Sequence, residues 1–139
     1  MEIITEKLSL STRGNGDVVD ITERVAEYLS KHGLKAGNVT VFVSGSTAGV
    51  TTTEYEPGLL KDIPAAFERV APASARYHHD DTWHDGNGHS HVRAAMLGPS
   101  LTIPFHNGRL ALGTWQQIVL IDFDNRPRTR DLTIQITGI

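Results

Sequence analysis

An α+β domain built on a mainly antiparallel β-sheet, with two or three short helices, is the architecture this sequence predicts. Three observations carry it. Short β-branched runs recur along the chain, at Val39–Val43, Gln117–Phe123 and Leu132–Ile136, and such side chains fit a pleated, half-buried surface. The pair Asn107-Gly108 sits between two apolar runs, which is the strongest short-range signal for a hairpin. Clear helical periodicity is confined to the stretch from Asp20 to Gly33. Many strands and few helices, with no repeat or linker between them, describe one domain of this class.

Taken in order, Glu2–Leu10 alternates loosely with a period of two and reads as a strand, and Arg13–Asp17 as a turn. Asp20 is expected to cap a helix, with Glu23 reaching back in a capping box and Gly33 ending it. Val39–Val43 reads as a buried strand, Ser44–Gly49 as a small-residue loop and Val50–Tyr55 as a second strand. Asp62 and Pro64 open a short helix over Ile63–Val70, and Pro72 stops it. Val92–Leu97 reads as a further short helix ending at Gly98-Pro99. Leu101–Phe105 and Arg109–Leu112 form the hairpin. Gln117–Phe123 and Leu132–Ile136 are expected to pair antiparallel through the turn Asp124–Pro127.

The bulk numbers exclude several classes. A hydrophobic fraction of 39% suits a folded globule. A net charge of -3, without a Lys/Arg stripe, argues against nucleic acid. Cysteine is absent, which removes thiolate metal sites and thiol nucleophiles. The first residues are too acidic for a signal peptide, and no apolar run approaches the roughly 20 residues of a membrane helix, so a cytoplasmic location is expected.

The chemistry concentrates in His79-Asp80-Asp81-Thr82-Trp83-His84-Asp85-Gly86-Asn87-Gly88-His89-Ser90-His91, which has almost no aliphatic residue. It reads as a polar loop held by the rest of the chain. Neutral imidazole is the commonest metal ligand, and a catalytic zinc needs about three N or O ligands with one position open. His79, His89 and His91 could supply them, with Asp80 or Glu54 as alternatives. On an extended segment His89 and His91 share a side, whereas within a helix they diverge by about 200°. The competing reading is a solvated loop whose histidines bond backbone carbonyls.

Three other stretches have chemical content. Ser44–Gly49 could form an anion nest with the hydroxyls of Ser46 and Thr47, or simply join two strands. In Gly113-Thr114-Trp115-Gln116-Gln117, Gln116 offers an amide to a ligand, while Trp115 is expected in the core. Arg126, Arg128 and Arg130 form a basic turn suited to an anion if a pocket adjoins it. Ser46 is not in a GxSxG elbow, so a serine hydrolase is not expected.

Gly45-Ser46-Thr47-Ala48-Gly49, Thr53-Glu54, His79-Asp80, Asn87-Gly88-His89-Ser90-His91, Leu97-Gly98-Pro99-Ser100, Leu112-Gly113-Thr114-Trp115-Gln116 and Arg128-Thr129-Arg130 occur in that order. Together they resemble the YjbQ family, whose members are often labelled secondary thiamine-phosphate synthases. The resemblance implies a small α+β homotrimer with pockets between subunits, lined by the His-rich segment. By the same resemblance His79, His89 and His91 would hold a metal, with Glu54 and Gln116 nearby. Many relatives carry His-Thr-Ser/Thr-Ala where this chain has Gly45-Ser46-Thr47-Ala48. The resulting expectation is a metal-dependent enzyme acting on a small anionic substrate, or a non-catalytic metal- or metabolite-binding trimer. In the first, Glu54 or Asp80 takes the proton, and Ser46, Thr47, Gln116 and Arg130 hold the substrate. A histidine set suits zinc better than magnesium, the alternative cation for a pyrophosphate-releasing reaction.

Overall fold

A computed structural model describes the whole chain, Met1–Ile139. Eight strands and four helices follow in the order β1 (Glu2–Thr12), β2 (Asp17–Asp20), α1 (Thr22–His32), β3 (Ala36–Val43), β4 (Ala48–Thr53), α2 (Leu59–Val70), α3 (His78–Trp83), α4 (Gly88–Leu97), β5 (Ser100–His106), β6 (Arg109–Leu110), β7 (Gln117–Asp122) and β8 (Arg128–Gly138). The strands form two sheets, β1-β8-β3-β5-β6 and β2-β7-β4, and every pairing is antiparallel. The expected α+β class is what the chain adopts, with α3 as an additional helix.

Burial patterns explain the layering. Along β8 the buried residues alternate, Arg130, Leu132, Ile134 and Ile136 facing inward, as a sheet with one covered face requires. In β7, Ile118, Val119, Leu120, Ile121 and Asp122 are all buried, so both faces of that strand are covered. Ile118, Leu120 and Val50 join the large sheet and α1 in the main core, packing with Leu8, Val25, Leu29 and Ile134. Val119, Ile121 and Phe123 point the other way, to a second core with Ala94 of α4 and with Leu60, Ile63 and Phe67 of α2. The small sheet is thus the middle of three layers: large sheet, small sheet, helices.

This arrangement corrects the expected β7–β8 hairpin. The strands lie in different sheets, β7 between β2 and β4, and β8 between β1 and β3. A strand covered on both faces and a strand covered on one belong to different layers, so the turn between them is a crossover.

Locally, α1 starts one residue later than expected, with Ile21 rather than Asp20 at its N-cap, and Asp20 bonds its first residue from outside. Its Oδ1 accepts the N–H of Thr22 at 3.0 Å and the Thr22 hydroxyl at 2.7 Å, and no bond from Glu23 closes a capping box. The helix ends at Gly33, at φ 66°. α2 starts earlier than expected because the Glu56 carboxylate accepts the N–H groups of Gly58 and Leu59, leaving Pro64 inside the helix. Asn107 and Gly108 turn the β5–β6 hairpin with φ of 52° and 71°, the left-handed pair of a type I′ turn. No helix is long and apolar enough to cross a membrane.

Candidate metal centre

The polar histidine stretch is a loop only over residues 84–87; its two ends fold into α3 and the first turn of α4. Its stability comes from its ends, since α3 buries no residue. His84 closes α3 in the left-handed conformation at φ 57°, its N–H bonded to the Asp80 carbonyl. The Asp80 side chain then accepts the N–H of Gly88 at 3.1 Å, tying the start of α4 to α3. A Cβ on Gly88 would lie 2.4 Å from Cβ of Tyr77, so only glycine permits this approach. Asn125 donates to the Asp85 carbonyl at 2.9 Å, which fastens the α3–α4 connection to the β7–β8 crossover. At its far end α4 is pinned by Val50 N–H to the Gly98 carbonyl at 3.0 Å.

One ligand atom from each of His79, Asp80 and Asp85 lies within 4.8 Å of the others. His79 Nε2 is 3.5 Å from Asp85 Oδ1. The His91 ring lies beside that of His79, centroids 4.3 Å apart at 51°. Asn87 is buried behind them, its amide within hydrogen-bond reach of Asp85, His79 and Asp124.

His89 faces elsewhere. Both it and His91 lie inside α4, so the two rings diverge as helical geometry demands. His89 is buried near Tyr77, ring centroids 6.2 Å apart, and its Nδ1 has no hydrogen-bond partner. Burial, then the neighbouring Arg93 charge, holds this imidazole below the ordinary histidine range. The structure therefore brings ligand atoms of His79, Asp80 and Asp85 together, sets the His91 ring beside His79 and turns His89 away. Asp85 was legible as part of the polar stretch but lacked any spacing that marks a ligand.

Two of the expected anion-binding residues lie in an internal hydrogen-bond network. Arg130 is buried; its Nε donates to Asp122 Oδ2 at 2.7 Å and its Nη2 to Asp122 Oδ1 at 2.8 Å and Thr47 Oγ1 at 2.6 Å. Thr47 in turn donates to Asp124 Oδ2 at 3.1 Å, and Arg128 to the same oxygen at 2.6 Å. Thr47 spends its one hydroxyl proton on Asp124, and the Nε and Nη2 of Arg130 are taken up by Asp122 and Thr47, which leaves only Nη1, beside Gly45, without a bond. Ser46 and Arg126 are exposed.

Glu54 and Gln116 are distant within one chain. β4 runs antiparallel to β7 with Ala48 opposite Asp122 and Thr53 opposite Gln117. From Thr47, beside Asp124, to Thr53 is therefore about 20 Å of strand at about 3.3 Å per residue. Glu54 is exposed at that far end. Gln116 is also there, its amide bonded to Gly113 N–H and Thr52 Oγ1, on the rim of a cleft of about 320 Å³ between β4 and β5. Trp115 is 72% exposed and not in the core.

The buried carboxylates make the crossover acid-sensitive. Burial pushes the Asp122 carboxyl up, but hydrogen bonds from Arg130, Thr12 and the Asp124 N–H outweigh it and hold Asp122 below the usual range. Asp124 is likewise pushed up by burial and pulled lower by Asn125, Asn87, Thr47 and Arg128. A carboxylate whose folded pKa lies below its unfolded value stabilises the fold above the unfolded value and loses that stabilisation as pH falls through the folded one. Melting temperature should thus hold from pH 7 to about 5 and fall progressively below about pH 4; calorimetry showing a flat profile to pH 3 would contradict this.

Comparison with known proteins agrees with the fold and the motifs. The family model described as UPF0047 protein YjbQ-like matches residues 6–139. A UPF0047 protein of Methanothermobacter thermautotrophicus is 38% identical over 138 residues, covering 99% of this chain and 94% of its own. YugU of Bacillus subtilis, another UPF0047 protein, is 34% identical over 132 residues, covering 94% and 97%. The crystal structure of a YbjQ-like protein of unknown function from Sulfolobus solfataricus superposes with a TM-score of 0.93 at 33% identity, covering 99% of each chain. With the family model spanning nearly its whole length and its three-layer fold shared by a solved relative, this chain belongs to the YjbQ-like UPF0047 family.

Proposed function

We propose that this protein holds a divalent cation, zinc in preference to magnesium, at His79, Asp80 and Asp85, with His91 adjacent, and uses it on a small anionic substrate. The observation that carries the reading is the convergence of one imidazole and two carboxylates within 4.8 Å, held by bonds from Gly88 and Asn125. Mixed nitrogen and oxygen ligands, three from the protein, are the donor set of catalytic zinc sites, whereas magnesium favours oxygen ligands and retained water. When bound, such an ion polarises a substrate oxygen or acidifies a water. Asp80 belongs to the ligand set and the capping of α4, which leaves the general base to another group. In a homotrimer, Glu54 and Gln116 of a neighbouring copy would come to the site that their own chain keeps them from.

A thiamine-phosphate synthase activity is the less supported form of this reading. Releasing pyrophosphate calls for cationic side chains on the departing charge. Arg128 and Arg130 are held by Asp124 and Asp122, which leaves Arg126 as the exposed cation of the basic turn.

Native mass spectrometry of the wild-type protein, loaded with zinc, tests both parts: the expected species is a trimer with one zinc per chain. His79→Ala and Asp85→Ala should each weaken zinc binding by about 10–100-fold, in line with losses at metal-supporting residues. An assembly that takes up no zinc would refute the metal, and a monomer would refute the shared site.

A further inference from the structure

We infer that the cleft between β4 and β5 is a docking site for a short, uncharged, extended segment of another polypeptide, which adds a strand between the two sheets; the inference stands apart from the metal reading. The cleft has a volume of about 320 Å³. Its walls include residues 50–52 of β4 and 100–104 of β5, each an unbroken run. Successive side chains of a strand point to opposite faces, so a wall of consecutive residues is a strand edge. The cleft is therefore a gap between two edges rather than a hollow in a sheet face.

Both edges are open. Val43 N–H bonds the Pro99 carbonyl, and the ladder of β5 to β3 continues at Leu101 and Ile103. Antiparallel ladder bonds alternate along a strand, which sends the N–H and C=O groups of Ser100 and Thr102 away from β3 and into the cleft. Phe123 N–H bonds the Thr47 carbonyl, so β4 bonds β7 at Gly49 and Thr51 and turns Val50 and Thr52 outward. Val50 N–H is taken by the Gly98 carbonyl, and the Pro104 carbonyl by Ala111 N–H. β6 covers β5 only at Phe105 and His106. The Val50 carbonyl and both backbone groups of Thr52, Ser100 and Thr102 have no partner in the chain.

Donors and acceptors alternating at strand spacing are answered by an extended backbone, as in β-strand addition. Exposed edges are ordinarily blunted by charge or proline, yet no charged side chain lines this cleft, and Pro104 blunts one end of β5 only. Leu97, Leu101, Ile103 and Leu112 give it apolar surface. A charged segment would lose its water there without gaining a partner. A folded second copy cannot supply the strand. Each strand of the chain is already paired on at least one side, and a strand lying between β4 and β5 needs both of its edges free.

The test is 15N NMR of the full-length protein titrated with acetyl-Val-Thr-Val-Thr-amide and, separately, with acetyl-Glu-Lys-Glu-Lys-amide. The uncharged peptide should move the backbone amide resonances of Thr52, Ser100 and Thr102 downfield and slow their hydrogen exchange at least tenfold. The charged peptide should leave them in place. Thr102→Pro removes one outward donor without touching the bonds to β3, as proline is tolerated on an edge, and should weaken the uncharged peptide at least tenfold. If that variant does not fold, the same peptide N-methylated at alternate residues makes the test from the ligand side and should bind at least tenfold more weakly. No binding of the uncharged peptide at millimolar concentration, binding that moves other amides, or binding indifferent to the loss of either donor overturns the proposal. Thr52 and Thr102 amides already protected from exchange in the peptide-free protein would place a second copy on the cleft, which overturns it as well.

Discussion

Arg130→Met should cost about 3–5 kcal/mol of folding stability, the range for removing one partner of a buried ion pair. The guanidinium makes two bonds to Asp122 and one to Thr47, and neither it nor Asp122 is more than 3% exposed. Without it the Asp122 charge stays buried with only Thr12 and the Asp124 N–H to answer it. The penalty is mostly that stranded charge, so it has a signature. Arg130→Met combined with Asp122→Asn should cost clearly less than the sum of the two single changes, as contacting residues do. Urea denaturation of the four proteins measures the cycle, and additive losses would show that the pair is not what holds the crossover. For a chain of this size the single change corresponds to a drop of roughly 10–15 °C in Tm.

What the sequence disclosed and what it hid divide along physical lines. Asn107-Gly108 announced its hairpin because a two-residue turn has local chemistry, and Asp20 and Gly33 marked the bounds of α1 for the same reason. The pairing of β7 was hidden, although its cause was in view: five consecutive buried positions signal a strand covered on both faces, and such a strand does not share a sheet with the alternating β8. β2 is four residues long and carries no period that can be told from a turn. α3 escaped because its residues have no apolar stripe; it exists through capping by His84 and the Asp80–Gly88 bond, which are tertiary facts. At the site, His79, His91 and Asp80 were legible by residue type. The place of Asp85 beside them was not, since it depends on the Asn125 bond made 40 residues later. Arg130 and Thr47 looked free for a substrate because nothing local reveals that Asp122 and Asp124 are buried.

Phe123→Ala should be the costliest truncation in the helical layer, at about 3–5 kcal/mol. The ring is 1% exposed, packs against Phe67 with centroids 4.7 Å apart, and belongs to the small core that α2 and α4 share with β7. α2 contributes no fully buried residue of its own, so Phe123 supplies what that helix lies on. Little in the layer can close over the cavity: Val119 and Ile121 are fixed in a strand paired on both sides, and α4 is tied at both ends. Phe67→Ala, at a half-buried position, should cost less, because solvent and the α2 backbone can take up the space. Equilibrium urea unfolding of both variants decides it, and a larger loss for Phe67→Ala would mean that α2, not β7, organises the layer. The change should reach the candidate metal centre too. Phe123 stands between Asp122 and Asp124, and its N–H bonds to the Thr47 carbonyl at 2.9 Å. Loosening it lets the crossover, and the Asp124 carboxylate that faces Asn87, move relative to α4. Zinc binding should therefore weaken severalfold in Phe123→Ala and stay near wild type in Phe67→Ala, a contrast that isothermal titration at equal folded concentration resolves.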